Sequence, residues 1–151
     1  MLTNKAKYGV KAVVYLAGLP PGETALIADI AARNNIPKKF LDAILLELRN
    51  AGLVRSRKGP GGGYALARSA REIKVGEVIR ALDGPLVPLA CANAETAVSC
   101  EDCATMAVCP VRMVMSEVND AVSAILDRTS LSALVAQTPV PRRRDAWAYE
   151  I

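Results

Sequence analysis

The chain has 151 residues, 52% hydrophobic but only 4% aromatic, with a formal net charge of +4, four cysteines and no histidine. That length suits one core with an added assembly element, built from Leu, Val, Ile and Ala, whose abundance favours helix. The longest early apolar run is broken by Lys11 and ends at Pro20, too short for a bilayer span and without a clear cleavage pattern, so no membrane association and a cytoplasmic setting with reduced thiols are expected.

In chain order, residues 2–18 read as a helix burying Val10, Val13, Val14, Leu16 and Ala17. The turn LPPGE stops it, and Thr24 is placed to cap a second helix over about 25–33, with Leu26, Ile27, Ile30 and Ala31 at helical spacing. Asn34-Asn35-Ile36 forms a short turn. Pro37 then suits the first position of a third helix, which runs to about Asn50 with Leu41, Ile44, Leu45 and Leu48 inward and Gly52 past its end. Two helices joined so tightly make a helix-turn-helix. Leu53–Arg57 and Tyr64–Arg68 flank a glycine-rich turn, the pattern of a β-hairpin wing. Residues 74–82 give a short helix, and Val111 to about Asp127 a long amphipathic one. Residues 130–136 add one further turn, and the tail is expected to be flexible. The predicted fold is mainly α with a small β-hairpin wing. Its parts are a winged helix-turn-helix over 1–83, a cysteine-rich sensor loop over 84–110, a dimerisation helix and terminal turn over 111–136, and a tail over 137–151.

Charge is unevenly placed. Between Ile36 and Val75 nine basic residues face three acidic ones, while Ala81 to Val111 contains no Lys or Arg. The first segment suits a polyanion. Lys38, Lys39 and Phe40 open the third helix, where a helix-turn-helix reaches base edges and phosphates. Asp42 lies further in; a carboxylate there is repelled by phosphate but accepts from a cytosine amine. Arg55, Arg57 and Lys58 sit beside the wing glycines and suit a minor groove or a phosphate row. A charge run alone is usually a solvated surface. Its coincidence with a helix-turn-helix and a wing points to double-stranded DNA.

Every cysteine falls between 91 and 109, as C-x8-C-x2-C-x5-C: Cys91, Cys100, Cys103 and Cys109. Soft thiolates at this number suit an iron–sulfur cluster, [2Fe–2S] or [4Fe–4S], or a tetrahedral zinc site. Structural zinc usually pairs two CxxC knuckles and only one is present, which favours the cluster. Glu101 and Asp102 bring no cation to acidify the thiols, which weighs against a free-thiolate sensor. An enzyme using Cys100-x2-Cys103 as a redox pair is disfavoured: there is no thioredoxin-like βαβ pattern, no histidine base and no nucleotide loop. On the long helix, Val111, Val114, Met115, Val118, Val122 and Ile125 form one apolar stripe, most economically covered by a second copy of the chain. Arg142, Arg143 and Arg144 in the tail read as a solvated run.

The segments LTNKAKYGVKAV, IPKKFLDAILLELRNAGLVRSRKGPGGGYALAR and KVGEVIRALDG, followed by the cysteine loop and its helix, resemble the Rrf2 family of winged helix-turn-helix transcriptional regulators, which includes IscR, NsrR and RirA. The resemblance covers about residues 1–136. It implies a homodimer with crossing C-terminal helices, a palindromic operator, and in many members an iron–sulfur cluster that controls DNA affinity; the expected role is that of a cluster-sensing transcription factor acting as a repressor. It carries the family's DNA-contacting positions onto Lys39, Phe40, Asp42 and Lys58, with Lys where the family often has Arg. Its cluster cysteines fall on Cys91, Cys103 and Cys109. The chain departs from the family in its extra Cys100, in lacking the histidine some members use, in Lys7 where others have a carboxylate ligand, and in Met115 where a Trp is common. Cys100 is the economical fourth ligand. Redox state, nitric oxide and iron or cluster supply are all compatible signals. The competing expectation is a regulator of the same fold that uses zinc or thiol–disulfide chemistry, or a cluster-free one answering a metabolite or partner protein.

Overall fold

A computed structural model describes residues 2–93, 98–103 and 105–138. Helix α1 (Asn4–Ala17) begins at Thr3, whose Oγ1 accepts the Ala6 N–H at 3.2 Å. Its buried residues are Ala6, Gly9, Ala12, Val13 and Leu16. Val10, Val14 and Ala17 are only partly covered, so the buried stripe is centred on smaller side chains than hydropathy predicts. The reason is close approach: a Cβ on Gly9 would overlap Leu82, which lies on the later helix packed against α1.

Helix α2 (Ile27–Asn34) starts two residues later than expected, and Thr24 does not cap it. The Thr24 hydroxyl instead donates to the carbonyls of Gly61 and Gly62, both at 3.0 Å, because the wing folds back over this segment. Leu26 stands at the helix entry, exposed rather than inward. The turn into α3 (Lys38–Asn50) uses the left-handed Asn35, φ 51°, and the Ile36 N–H closes on the Ala31 carbonyl at 3.0 Å. Pro37 precedes the first helical residue, one place earlier than expected, and its carbonyl accepts from Phe40 and Leu41. Leu41, Ile44, Leu45 and Leu48 are buried as predicted. At the far end Gly52 adopts φ 74°, and Leu53 N–H returns to the Leu48 carbonyl at 2.9 Å, a left-handed stop that suits glycine.

Strands β1 (Val54–Arg57) and β2 (Gly63–Leu66) pair antiparallel, Val54 opposite Leu66 and Arg57 opposite Gly63. Ala25 adds an antiparallel bridge to Tyr64, with hydrogen bonds of 2.9 and 2.8 Å in the two directions. Helix α4 (Val75–Asp83) follows, then short 3-10 turns at Ala90–Ala92 and Met106–Val108, and then α5 (Pro110–Arg128) and α6 (Leu131–Gln137). The last helix is more than a terminal turn. Leu131 is fully buried among the winged-helix residues, and its N–H binds the Ile73 carbonyl at 3.0 Å.

Polar ties hold the elements in register. Thr3 donates through its N–H and hydroxyl to Asp83 at 2.9 and 2.5 Å. Lys5 pairs with Glu47 at 3.0 Å. Glu77 accepts from the Lys74 N–H at 3.1 Å and from Arg68 at 2.5 Å. Burial pushes the Glu77 carboxyl up, but the Arg68 and Lys74 hydrogen bonds outweigh it and hold the group below its ordinary value. Among the described residues, no helix is long and apolar enough to cross a membrane. From position 139 the tail, with Arg142, Arg143 and Arg144, lies outside the described residues.

Candidate nucleic-acid interface and thiol loop

The predicted DNA-facing residues are exposed and lie on two elements, α3 and the wing. Lys38, Lys39, Phe40 and Asp42 are exposed on the first turns of α3, whose opposite face is locked into the core. Phe40 is 51% exposed, and the Lys39 ammonium lies 5.1 Å from its ring centroid. Arg55 and Arg57, exposed on β1, line a shallow cleft with Gly22, Thr24, Ser56 and Ala65. Lys58 is exposed at the wing turn. Arg49 was not singled out by sequence as an interface residue, yet its Nη1 reaches Ser56 Oγ at 3.3 Å, joining the recognition helix to the wing. Free N–H groups at the start of α3 together with these cations suit a phosphate-lined groove.

The wing geometry demands glycine. A Cβ on Gly62 would lie 2.5 Å from the Arg57 carbonyl oxygen, and one on Gly63, at φ 137°, 2.5 Å from that of Ala25. The run of glycines thus lets the strands turn and lets Ala25 pair closely.

The four cysteines are all free and half-buried. Cys109 is the N-terminal cap residue of α5. Cys103 stands beside both Cys109 and Cys100. Its hydrogen bond with Cys109, then burial and the neighbouring Cys109 and Cys100 sulfurs, push its thiol up to about 11. The Arg112 backbone N–H and the Cys103 hydrogen bond hold the Cys109 thiol below its ordinary value, and the Arg112 guanidinium adds to this. Sequence reasoning expected no acidifying cation for these thiols. Arg112 overturns that, because the first turn of α5 brings it back onto the loop. Arg112 Nε also donates to the Cys91 carbonyl at 2.8 Å, tying that segment to α5. The signal was a basic residue three positions past the last cysteine, at the spacing of one helical turn.

The donor chemistry suits a soft metal or cluster. Cys103 lies beside Cys100 and beside Cys109, and the lowered Cys109 favours the thiolate that such ligation needs. No group of three or more Cys, Asp or Glu side chains stands ready-gathered around a metal position among the described residues.

Not one of the 19 residues of α5 is buried. Its half-buried positions are Arg112, Met115, Ser116, Asn119, Ser123 and Leu126, mostly polar. Its apolar ridge points outward: Val111 is 53% exposed, Val114 50%, Val118 44%, Val122 41% and Ile125 51%. Of the predicted stripe, only Met115 turns partly toward its own chain.

The family profile described as Rrf2, iron-dependent transcriptional regulator, matches residues 2–137. The chain is 37% identical over 139 residues to an rrf2-like HTH-type transcriptional regulator of Rhodobacter capsulatus, covering 90% of this chain and 93% of that one. The structure of CymR, the global cysteine regulator of Bacillus subtilis, superposes with a TM-score of 0.76 at 32% identity, covering 91% of this chain and 98% of that one. IscR of T. potens superposes with a TM-score of 0.73 at 27% identity, covering 94% and 93%. The two-stranded wing after a helix-turn-helix and the match over nearly the whole chain make this protein a member of the Rrf2 family of transcriptional regulators, a DNA-binding protein and not an enzyme.

Proposed function

We propose that the protein is a cytoplasmic homodimeric repressor that binds a palindromic operator through α3 and the wing, with its affinity set by an iron–sulfur cluster on Cys91, Cys100, Cys103 and Cys109. What supports this reading is that Cys103 lies beside Cys100 and beside Cys109, and that Cys109 caps α5, the helix whose apolar ridge faces away from its own chain. The group would supply a redox- and iron-responsive link between sulfurs on separate turns of the loop. The chain's own part is to present the thiols and to carry their arrangement to the DNA-reading face. Arg112 ties the Cys91 segment to α5, and Arg80 ties α5 to α4, which packs on α1 and α3. The signal is the oxidation state of the cell, nitric oxide, or the supply of iron and clusters.

A second reading has its own support. Cys103 lies beside Cys109, whose thiol is held below its ordinary value, an arrangement suited to thiol–disulfide switching or to zinc. The resemblance to CymR, described as a cysteine regulator, is compatible with it. Iron, acid-labile sulfide and zinc content of protein purified without oxygen separates the two. Matching iron and sulfide with a brown visible spectrum is expected. Colourless protein carrying stoichiometric zinc, or none of the three after reconstitution, would overturn the cluster reading.

A further inference from the structure

On α3, Lys39, Asp42, Ala43 and Leu46 follow one another at i, i+3, i+4 and i+7, and all four are exposed. They lie opposite the buried Leu41, Ile44, Leu45 and Leu48. The strip is framed by polar ties on both sides: Arg49 to Ser56 of the wing at 3.3 Å, and Glu47 to Lys5 of α1 at 3.0 Å. This spacing carries DNA contacts across about two turns of a helix laid in the major groove.

The strip is half apolar. Leu46 is 46% exposed at its C-terminal end, beside the methyl of Ala43, while the other two members, Lys39 and Asp42, are charged. Among the bases, thymine alone presents a methyl group in the major groove, and small apolar side chains are its natural contacts. The larger exposed apolar ridge lies elsewhere, on α5.

We infer that Ala43 and Leu46 are specificity-determining residues that read thymine 5-methyl groups, placing thymine in each half-site next to the base pair met by Asp42. This rests on α3 being the recognition helix.

The test uses the operator that the wild-type protein selects from a random duplex pool, synthesised with thymine and with deoxyuridine at each half-site position in turn, with affinities measured at fixed salt. Removing a contacted methyl should weaken wild-type binding about fourfold, the worth of one buried methyl group. Leu46→Ala should bind the two duplexes within a factor of about two. Its unchanged melting temperature and unchanged affinity for unselected DNA should show that fold and phosphate contacts persist. Equal wild-type affinity for both duplexes, or the same discrimination in Leu46→Ala as in wild type, overturns the inference while leaving α3 as the recognition helix. Failure to select any sequence overturns both.

Discussion

Arg80 of α4 grips Asp127 near the end of α5 with two parallel hydrogen bonds, Nη1 to Oδ1 at 2.6 Å and Nη2 to Oδ2 at 2.9 Å. This pair spans the thiol loop, since the chain leaves α4 just after Arg80, makes the loop, and returns along α5. Gly76 on α4 makes room for it, because a Cβ there would overlap the Asp127 carboxylate. The Arg80 hydrogen bond holds the Asp127 carboxyl below its ordinary value, against a smaller upward push from burial.

Asp127→Asn should therefore cost stability at neutral pH. Both side chains are partly exposed, so solvent screening limits the loss to about 0.2–1 kcal/mol. A carboxylate with a lowered folded value adds stability above its unfolded value, and that contribution disappears as pH falls through the folded value. Denaturation curves of the two proteins should thus differ at pH 7 and converge in strong acid.

Gly63→Ala tests the close approach of Ala25 to the wing. Its added Cβ meets backbone at a left-handed φ, whereas Gly52→Ala, at φ 74°, meets nothing within 4 Å. Gly52→Ala should cost about 1 kcal/mol from backbone conformation alone. Gly63→Ala should cost more and should weaken DNA binding as the wing shifts. Urea unfolding and operator binding on the same two variants check the order.

Lys39→Ala and Lys58→Ala separate phosphate contact from base reading. Each should weaken binding to all sequences and lower the log–log salt slope by about 1. An unchanged slope in either variant removes that lysine from the phosphate-contacting set.

The outward ridge of α5 predicts assembly. Val118→Glu places a charge at its centre without touching a buried side chain, so the monomer's melting should change little while light scattering moves from dimer to monomer mass. Operator affinity should fall, because a palindrome is read by two linked half-sites.

Much of this architecture was legible in the sequence. The leucines of α3, the Asn35 turn, the Gly52 stop and the glycine-rich wing carry local signals that survive folding unchanged. What escaped depends on contacts between distant segments. Thr24 sits at a helix entry by sequence, yet the wing turn offers it two carbonyls. Ala6, Gly9 and Ala12 form the buried face of α1 because α4 approaches closely, a demand for small size that hydropathy does not register. Arg112 lies just outside the cation-free stretch, and only the first turn of α5 brings its charge onto Cys109. The anchoring of the Cys91 segment through its carbonyl had no sequence signal.

The most direct test of the link between thiols and DNA is operator affinity at matched salt for the protein before and after metal removal, with Cys103→Ser alongside. Coupling between the loop and the reading face predicts at least about a fivefold change in wild type, the lower end of ordinary allosteric coupling, and none in Cys103→Ser. Equal affinity of the two wild-type forms would contradict the account.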